Sequence, residues 1–265
     1  MCGECHERIL RAGRHANTFI NGCLGFLNNE PKPFTVAHKI RDDRNGVVVL
    51  VPQKILHTDL PFVLGEFFYQ LRAALDGAMW KAFEHFQRVG PPPNVEERNV
   101  YFPITEPGSN FDKRAINGIP LPPKLKAWIE AVQPHDATHR THGSEDAVVA
   151  DALLYINRFS RLDRHRKPHL IASVVSEATS LVRCAVPAKI IGVQSLRANP
   201  LEGQYEIATF QIEGATPATK LYLEGEITLD VQIEGAPDNR SFLTWLPHLK
   251  DQTFRVIQRF DEAFR

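Results

Sequence analysis

Residues 64–86 read LGEFFYQLRAALDGAMWKAFEHF, and the periodicity of this stretch decides the architecture of the N-terminal half. At about 100° per residue, its large apolar side chains fall on one broad stripe, which predicts a long buried helix. The stripe consists of Leu64, Phe67, Phe68, Leu71, Leu75, Ala78, Met79, Ala82 and Phe86. A neighbouring strip holds Tyr69, Arg72, Asp76, Trp80 and Phe83. The residues expected to face water are Glu66, Gln70, Gly77, Lys81 and Glu84.

The aromatic strip contains two opposite charges, Arg72 and Asp76, one helical turn apart, where their side chains can touch. A buried ion pair repays its desolvation poorly unless further hydrogen bonds satisfy it. The pair therefore predicts either a polar core that fixes the fold or a functional site, and the structural interpretation is the favoured one. If the pair lines a pocket, Arg72 would offer a forked anion site that Asp76 orients.

Composition is that of an ordinary globular protein, with 43% hydrophobic and 23% charged residues in a chain of 265. The 31 basic residues balance the 31 acidic ones, so no global field attracts nucleic acid or an anionic membrane. The N-terminus lacks an apolar run of signal-peptide length, and no segment has the length needed to cross a bilayer. We therefore expect a cytoplasmic protein without a membrane partner, and four cysteines fit a reducing compartment.

The changes of period along the chain predict an α+β fold in one compact unit, residues 1–265. Residues 1–165 should be mainly helical, residues 166–240 rich in antiparallel strands, and residues 241–265 a final helix. Helices are expected over 4–28, 64–86, 122–133, 144–162 and 242–264. A β-hairpin is expected near 34–52, with Asn45-Gly46 as its turn signal. The clearest strand is LYLEGEITLDVQIEG, 221–235; YFPI, 101–104, is a short strand candidate, and GPPPN, 90–94, an extended connector.

A basic run, RFSRLDRHRKPH, follows the 144–162 helix at residues 158–169. Cations belong at a helix C-terminus, which accounts for part of this charge as a solvated face. The run is also the best phosphate-binding patch in the chain. His165 is its natural residue for proton transfer, because its unperturbed pKa lies near neutral.

Two further motifs contain metal-ligating residue types. CGECH, with Cys2, Cys5 and His6, matches the C-x-x-C-H haem attachment pattern, but a cytoplasmic location argues against haem. A zinc half-site would need a fourth ligand such as Cys23, and a frayed terminus is the favoured interpretation. HDATHRTH, at 135–142, is interpreted as a solvent-exposed loop. We therefore predict no metal and no cofactor.

Four motifs in order, LGEFFYQLRAALDGAMW, FPI, WIEAVQP and LDRHR, resemble those of a widespread set of uncharacterised bacterial proteins. Their counterparts there are D-x-L-h-N-L-R-S-A-L-D-H, F-P-I, a helix ending in Q-P-Y, and D-K-H-R, and the match spans roughly residues 4–180. The family's R-S-A-L-D-H is similar to the R-x4-H signature of HEPN-type ribonucleases, which implies metal-independent RNA cleavage. Gly77 stands where the histidine is expected, which implies an inactive member or one that uses His165 instead.

These observations lead to one site hypothesis and three function classes. We expect Arg72, Asp76, Asp163, His165 and Arg166 to converge on a polar site between the long helix and the basic run. The best interpretation is a HEPN-like protein that binds RNA phosphates or another anion and need not be catalytic. The alternatives are a module for a small anionic ligand and a non-catalytic scaffold that forms a homo-oligomer.

Overall fold

The computed structural model describes residues 3–31, 34–42, 44–53, 59–89, 96–111, 114–134, 144–165, 170–178, 181–184, 189–195, 205–214, 216, 219–224, 227–233 and 241–264. The predicted α+β fold is confirmed. The helices are α1 Gly3–Leu27, α2 Leu60–Val89, α3 Arg114–Asn117, α4 Pro123–Ala131, α5 Glu145–His165 and α6 Phe242–Ala263, with a 3-10 turn at Glu97–Asn99. The strands are β1 Phe34–Ile40, β2 Asn45–Pro52, β3 Leu170–Ala178, β4 Leu181–Cys184, β5 Lys189–Ser195, β6 Tyr205–Glu213, β7 Leu221–Glu224 and β8 Ile227–Ile233.

The chain divides into two compact units. One comprises residues 1–19, 61–168 and 244–265, and is built from helices. The other comprises residues 20–60 and 169–243, and contains every described strand. That residues 1–265 form a single compact body stays a prediction.

In the helical unit, α2 is the predicted long helix, extended by about one turn at each end. Its apolar stripe is buried as expected, apart from Phe86, which is partly exposed. Gln70 was expected to face water but is buried, because Arg8 of α1 donates from Nη1 to its Oε1 at 3.4 Å. The periodicity of α2 alone could not predict the burial of Gln70, because its partner Arg8 lies on α1.

The other long helices also begin and end close to the expected positions. The Ser144 hydroxyl caps α5 by accepting a hydrogen bond from the Ala147 N–H at 3.2 Å, as the sequence indicates. The helix runs three residues beyond Leu162 to His165. On α6, Phe254 is 36% exposed, and its ring packs edge-on against His6.

In the strand unit, four strands form one sheet in the order β1-β2-β6-β5, with antiparallel neighbours. The clearest predicted strand, 221–235, is described as β7 and β8, with residues 225, 226, 234 and 235 outside the described part. β7 pairs with β4 and β8 pairs with β3, both antiparallel, and the pairs Glu224 with Leu181 and Ile227 with Ala178 share one register. The described residues of the predicted strand are therefore strands, as expected.

The predicted hairpin is confirmed as β1 and β2, but its turn lies earlier than Asn45-Gly46. The Asp42 carboxylate closes the turn by accepting hydrogen bonds from the Arg44 and Asn45 N–H groups at 2.8 and 2.7 Å. Gly46 belongs to β2, where an added Cβ would lie 2.1 Å from the ring of Phe210. The glycine is therefore required by close packing and not by the turn. The connector at 90–94 lies outside the described residues.

Candidate functional site

Arg72 and Asp76 form the ion pair that the sequence predicts on α2. The Arg72 Nη2 lies 2.9 Å from Asp76 Oδ1, and Nε donates to Oδ2 at 3.1 Å, so both carboxylate oxygens are engaged. The side chains are 13% and 34% exposed, respectively. This two-point geometry is the strong form of an arginine–carboxylate contact.

The pair holds both backbone groups of Phe102. Asp76 Oδ1 accepts a hydrogen bond from the Phe102 N–H at 3.0 Å, and Arg72 Nη2 donates to the Phe102 carbonyl at 2.8 Å. Arg72 Nη1 reaches Asn157 Oδ1 of α5 at 3.5 Å. All three guanidinium nitrogens therefore donate to acceptors of the protein itself.

The side chain of Gln133 likewise forms hydrogen bonds with backbone groups of the residues that follow Phe102. Its Oε1 accepts from the Thr105 N–H at 3.0 Å, and its Nε2 donates to the carbonyls of Pro103 and Ile129, both at 2.9 Å. The predicted strand at 101–104 is therefore wrong: the segment is irregular, because side chains supply the hydrogen bonds that a neighbouring strand would otherwise give. The segment 101–104 is apolar because Phe102 is buried, and not because the segment pairs in a sheet.

Three of the four resemblance motifs meet at this point, which we call the Phe102 clamp: Arg72, Asp76 and Gln133 around the backbone of 102–105. Their spacing along the chain gives no sign of this meeting, because the three motifs are separated by about 30 residues each. The clamp satisfies the buried polar groups that a functional interpretation of Arg72 and Asp76 would leave for a ligand. It therefore favours the structural interpretation of the pair.

The remaining predicted site residues lie at the C-terminal end of α5. Residues 163 and 165 are in its last turn; their side chains and residue 166 lie outside the described part, so the five-residue convergence stays a prediction. The end of α5 does approach the pair: Asn157, Ser160 and Arg161 line a depression of about 350 Å³ together with Arg72 and Asp76. Position 165 follows Arg161 by four residues, which is one helical turn.

Arg72 and Asp76 also line a second depression, of about 420 Å³, which we call the α1–α2 cleft. Its other main lining residues come from the first turns of α1 and from two strips of α2: Glu4, Arg8, Tyr69, Gly77, Trp80 and Lys81. Arg72 and Asp76 close its inner wall. Sequence reasoning missed Arg8, because the contact between two antiparallel helices cannot be read from either periodicity. The sequence signal that could have indicated the cleft is the pair of small residues Ala73 and Gly77, which lie between the aromatic residues Tyr69 and Trp80 on α2.

Hydrogen bonds and ion pairs with neighbouring carboxylates fix the Lys81 and Trp80 side chains of the cleft. Glu84 accepts hydrogen bonds from the Lys81 ammonium at 3.1 Å and from the Trp80 indole N–H at 3.0 Å. The hydrogen bond that Lys81 donates to Glu84 raises the pKa of Lys81 and lowers the pKa of Glu84. Lys81 also lies 3.7 Å from the exposed carboxylate of Glu4. The cleft thus presents a fixed indole beside an ammonium group that is paired with carboxylates.

The metal-ligating motifs do not form a described metal site. Cys5 is a buried thiol, and His6 Nε2 lies 2.9 Å from Asp261 Oδ2. Cys2 and the loop at 135–142 lie outside the described residues. Within the described ranges no group of three or more histidine, cysteine, aspartate or glutamate side chains has the spacing of a metal site.

Comparison with family models, with curated proteins and with solved structures finds no match for this chain. None of the helices in the described part combines the length and the apolar character needed to cross a membrane.

Proposed function

We propose that this protein is a non-catalytic binding module for small anions, with the α1–α2 cleft as its ligand site. The observation that carries the proposal is the convergence of Arg8, Lys81 and Arg72 on one cavity with two aromatic side chains. Arg72 is paired with Asp76, and Lys81 donates to Glu84 at 3.1 Å and lies 3.7 Å from Glu4. Arg8, which donates to the neutral side chain of Gln70, is therefore the cation that would meet the anion first, with Lys81 shared between the anion and Glu84.

A binding role without catalysis agrees with how Arg72 is used. Its guanidinium nitrogens are directed at Asp76, Asn157 and the Phe102 carbonyl, so it supports the cleft wall and leaves ligand contacts to its neighbours. Gly77 lines the cleft at the position where the HEPN resemblance expects a histidine. A proton-transfer group is therefore missing from that position of the proposed site.

Calorimetric titration with inorganic pyrophosphate tests the proposal. We expect saturable binding by the wild type and at least about a tenfold weaker affinity for the double variant Arg8→Gln, Lys81→Gln, because two charge-assisted hydrogen bonds are lost. The matched control is Arg11→Gln, Lys124→Gln, which removes two exposed cations of α1 and α4 and changes the net charge equally. Equal weakening in both double variants, or no binding by the wild type, would contradict a site in the cleft.

Binding of RNA phosphates at the end of α5 is a second candidate function. The observation that favours it is Arg161, a member of the basic run that lines the 350 Å³ depression. Arg158 and Arg161 lie 3.9 and 3.7 Å from Glu106, so part of this charge is already paired at the surface.

An RNA function predicts an affinity that falls steeply with salt concentration, because phosphate contacts release counterions. Incubation with a mixed RNA pool separates binding from cleavage, using the wild type, Arg72→Ala and His165→Ala. Cleavage that disappears in His165→Ala would support the HEPN-like enzyme. Absence of cleavage by all three proteins would exclude it in the form that the resemblance implies.

A further inference from the structure

We infer that the α1–α2 cleft accepts a nucleotide unit, that is, a planar base joined to a phosphate. This inference rests on the proposed function, because it assigns the ligand class of the same site. It is carried by the shape of the α2 surface between two aromatic side chains, together with the cations Arg8 and Lys81 near its two ends.

The floor of the cleft is a trough in α2. Tyr69 and Trp80 both line the cleft, and Ala73 and Gly77 line it between them at helical spacing. Eleven residues of helix separate the two aromatic positions by roughly 16 Å along the axis. A trough of this length, with small residues in its middle, leaves room for a flat ring that neither end blocks.

Gly77 is a position of close contact between α2 and α1. A Cβ added there would lie 3.3 Å from the Cys5 Sγ of α1, which is tighter than ordinary contact. The two helices therefore approach closely at Gly77, which lines the cleft together with Tyr69, Ala73 and Trp80. Glycine in a helix interior costs about 0.5–1 kcal/mol relative to alanine, and close packing of α1 is what this residue allows.

The aromatic walls suit a base and the cations suit a phosphate. The Trp80 indole is fixed by its hydrogen bond to Glu84, and a fixed ring loses little freedom when a base stacks on it. Tyr69 is 45% exposed although its ring is large and apolar. Lys81 follows Trp80 directly, and Arg8 donates to Gln70 from the facing helix, so positive charge flanks both ends of the trough.

The same chemistry could come from two sources, a free nucleotide or an unpaired nucleotide of an RNA strand. Both offer a base face for stacking and a phosphate for Arg8 or Lys81. The experiment therefore includes both. It also includes adenosine and inorganic pyrophosphate, which carry the base without the phosphate and the phosphate without the base.

The test is calorimetric titration of the full chain with AMP, GMP, CMP, UMP, adenosine, pyrophosphate and a short single-stranded RNA, followed in parallel by tryptophan fluorescence. We expect at least one nucleotide to bind about tenfold or more tighter than pyrophosphate, the scale of one base–aromatic stack, and to change the fluorescence of Trp80. The fluorescence change should be absent in Trp80→Phe, which retains the other two tryptophans.

Ala73→Leu fills the trough and should weaken nucleotide binding by about tenfold or more while leaving pyrophosphate binding within about twofold. Ala127→Leu, at an exposed position of α4, is the matched control and should change neither. Equal affinities for pyrophosphate and all nucleotides, both lost in Arg8→Gln, Lys81→Gln, would overturn the nucleotide inference and keep the anion site. Absence of binding by every probe would overturn both, and binding of the RNA strand without any mononucleotide would assign the source as RNA.

Discussion

Single polar side chains in this protein form hydrogen bonds with backbone groups that are distant in the sequence. Gln133 is fully buried, yet its three hydrogen bonds reach two carbonyls and one N–H group of three different residues. The i,i+4 spacing of Arg72 and Asp76 predicts their contact, because helix geometry alone brings them together. The contacts of Gln133 could not be predicted, because they depend on how α4 packs beside the 102–105 segment.

Gln133→Leu keeps the approximate size of the side chain and leaves the Thr105 N–H and the Pro103 carbonyl without their partner. We expect a loss of roughly 2–4 kcal/mol in the free energy of unfolding, since each buried group that loses its hydrogen bond costs about 1–3 kcal/mol. Urea denaturation followed by circular dichroism measures it. Gln87→Leu, at an exposed position of α2, is the control and should stay within about 0.5 kcal/mol of the wild type.

Gly46→Ala should destabilise the protein, because the new methyl group would lie 2.1 Å from the buried ring of Phe210. Overpacking of this kind costs about 1–3 kcal/mol. The matched control is Gly25→Ala in α1, where nothing lies within 4 Å of the added Cβ and helix propensity favours alanine. Thermal denaturation should show opposite shifts for the two variants, and a Gly46→Ala protein as stable as the wild type would show that Phe210 does not pack as described.

At the scale of elements, the long helices follow from periodicity and the strands follow only in part. Helices α1, α2, α5 and α6 lie close to the predicted positions because a 3.6-residue period and a cap are local signals. The partners of β7 and β8, which are β4 and β3, could not be predicted, because partner choice is a long-range property. The hairpin was found, but its turn was placed on Asn45-Gly46 when Asp42 forms it.

The hairpin turn predicts a pH-dependent contribution to stability. Hydrogen bonds from Asn45, first from its side chain, and from the Arg44 N–H lower the pKa of Asp42 below its ordinary value. Because the folded pKa is depressed, this contribution is complete above the pKa of an unfolded aspartate, about 3.9, and is lost as the pH falls through the lower folded value.

Asp42→Ala should therefore be less stable than the wild type at neutral pH, and the difference should shrink as the pH is lowered through the range below about 4. Unfolding in urea at a series of pH values measures the difference. A difference that stays constant down to pH 2 would show that the charged carboxylate of Asp42 does not hold the turn.

At the scale of the whole molecule, the change from helical to alternating period near residue 169 predicted the α+β class but not the topology. The hairpin at 34–52 joins β6 and β5, which lie about 150 residues later, and neither segment carries a signal for the other. For the candidate site, Arg72 and Asp76 were found from sequence, whereas Arg8 and the cleft emerged from the packing of α1 on α2.

In the helical unit, we propose that the Phe102 clamp stabilises the fold and that the α1–α2 cleft binds an anion. Thermal unfolding with and without saturating pyrophosphate tests both parts of this proposal at once. A ligand present at 100 times its dissociation constant stabilises the folded state by about 2.7 kcal/mol. We predict that Asp76→Asn lowers the melting temperature without ligand but retains the ligand-induced rise, whereas Arg8→Gln shows a smaller ligand-induced rise than the wild type, measured against its own melting temperature without ligand. If Asp76→Asn abolished the rise while melting like the wild type, or if Arg8→Gln kept the full rise, the account would be contradicted.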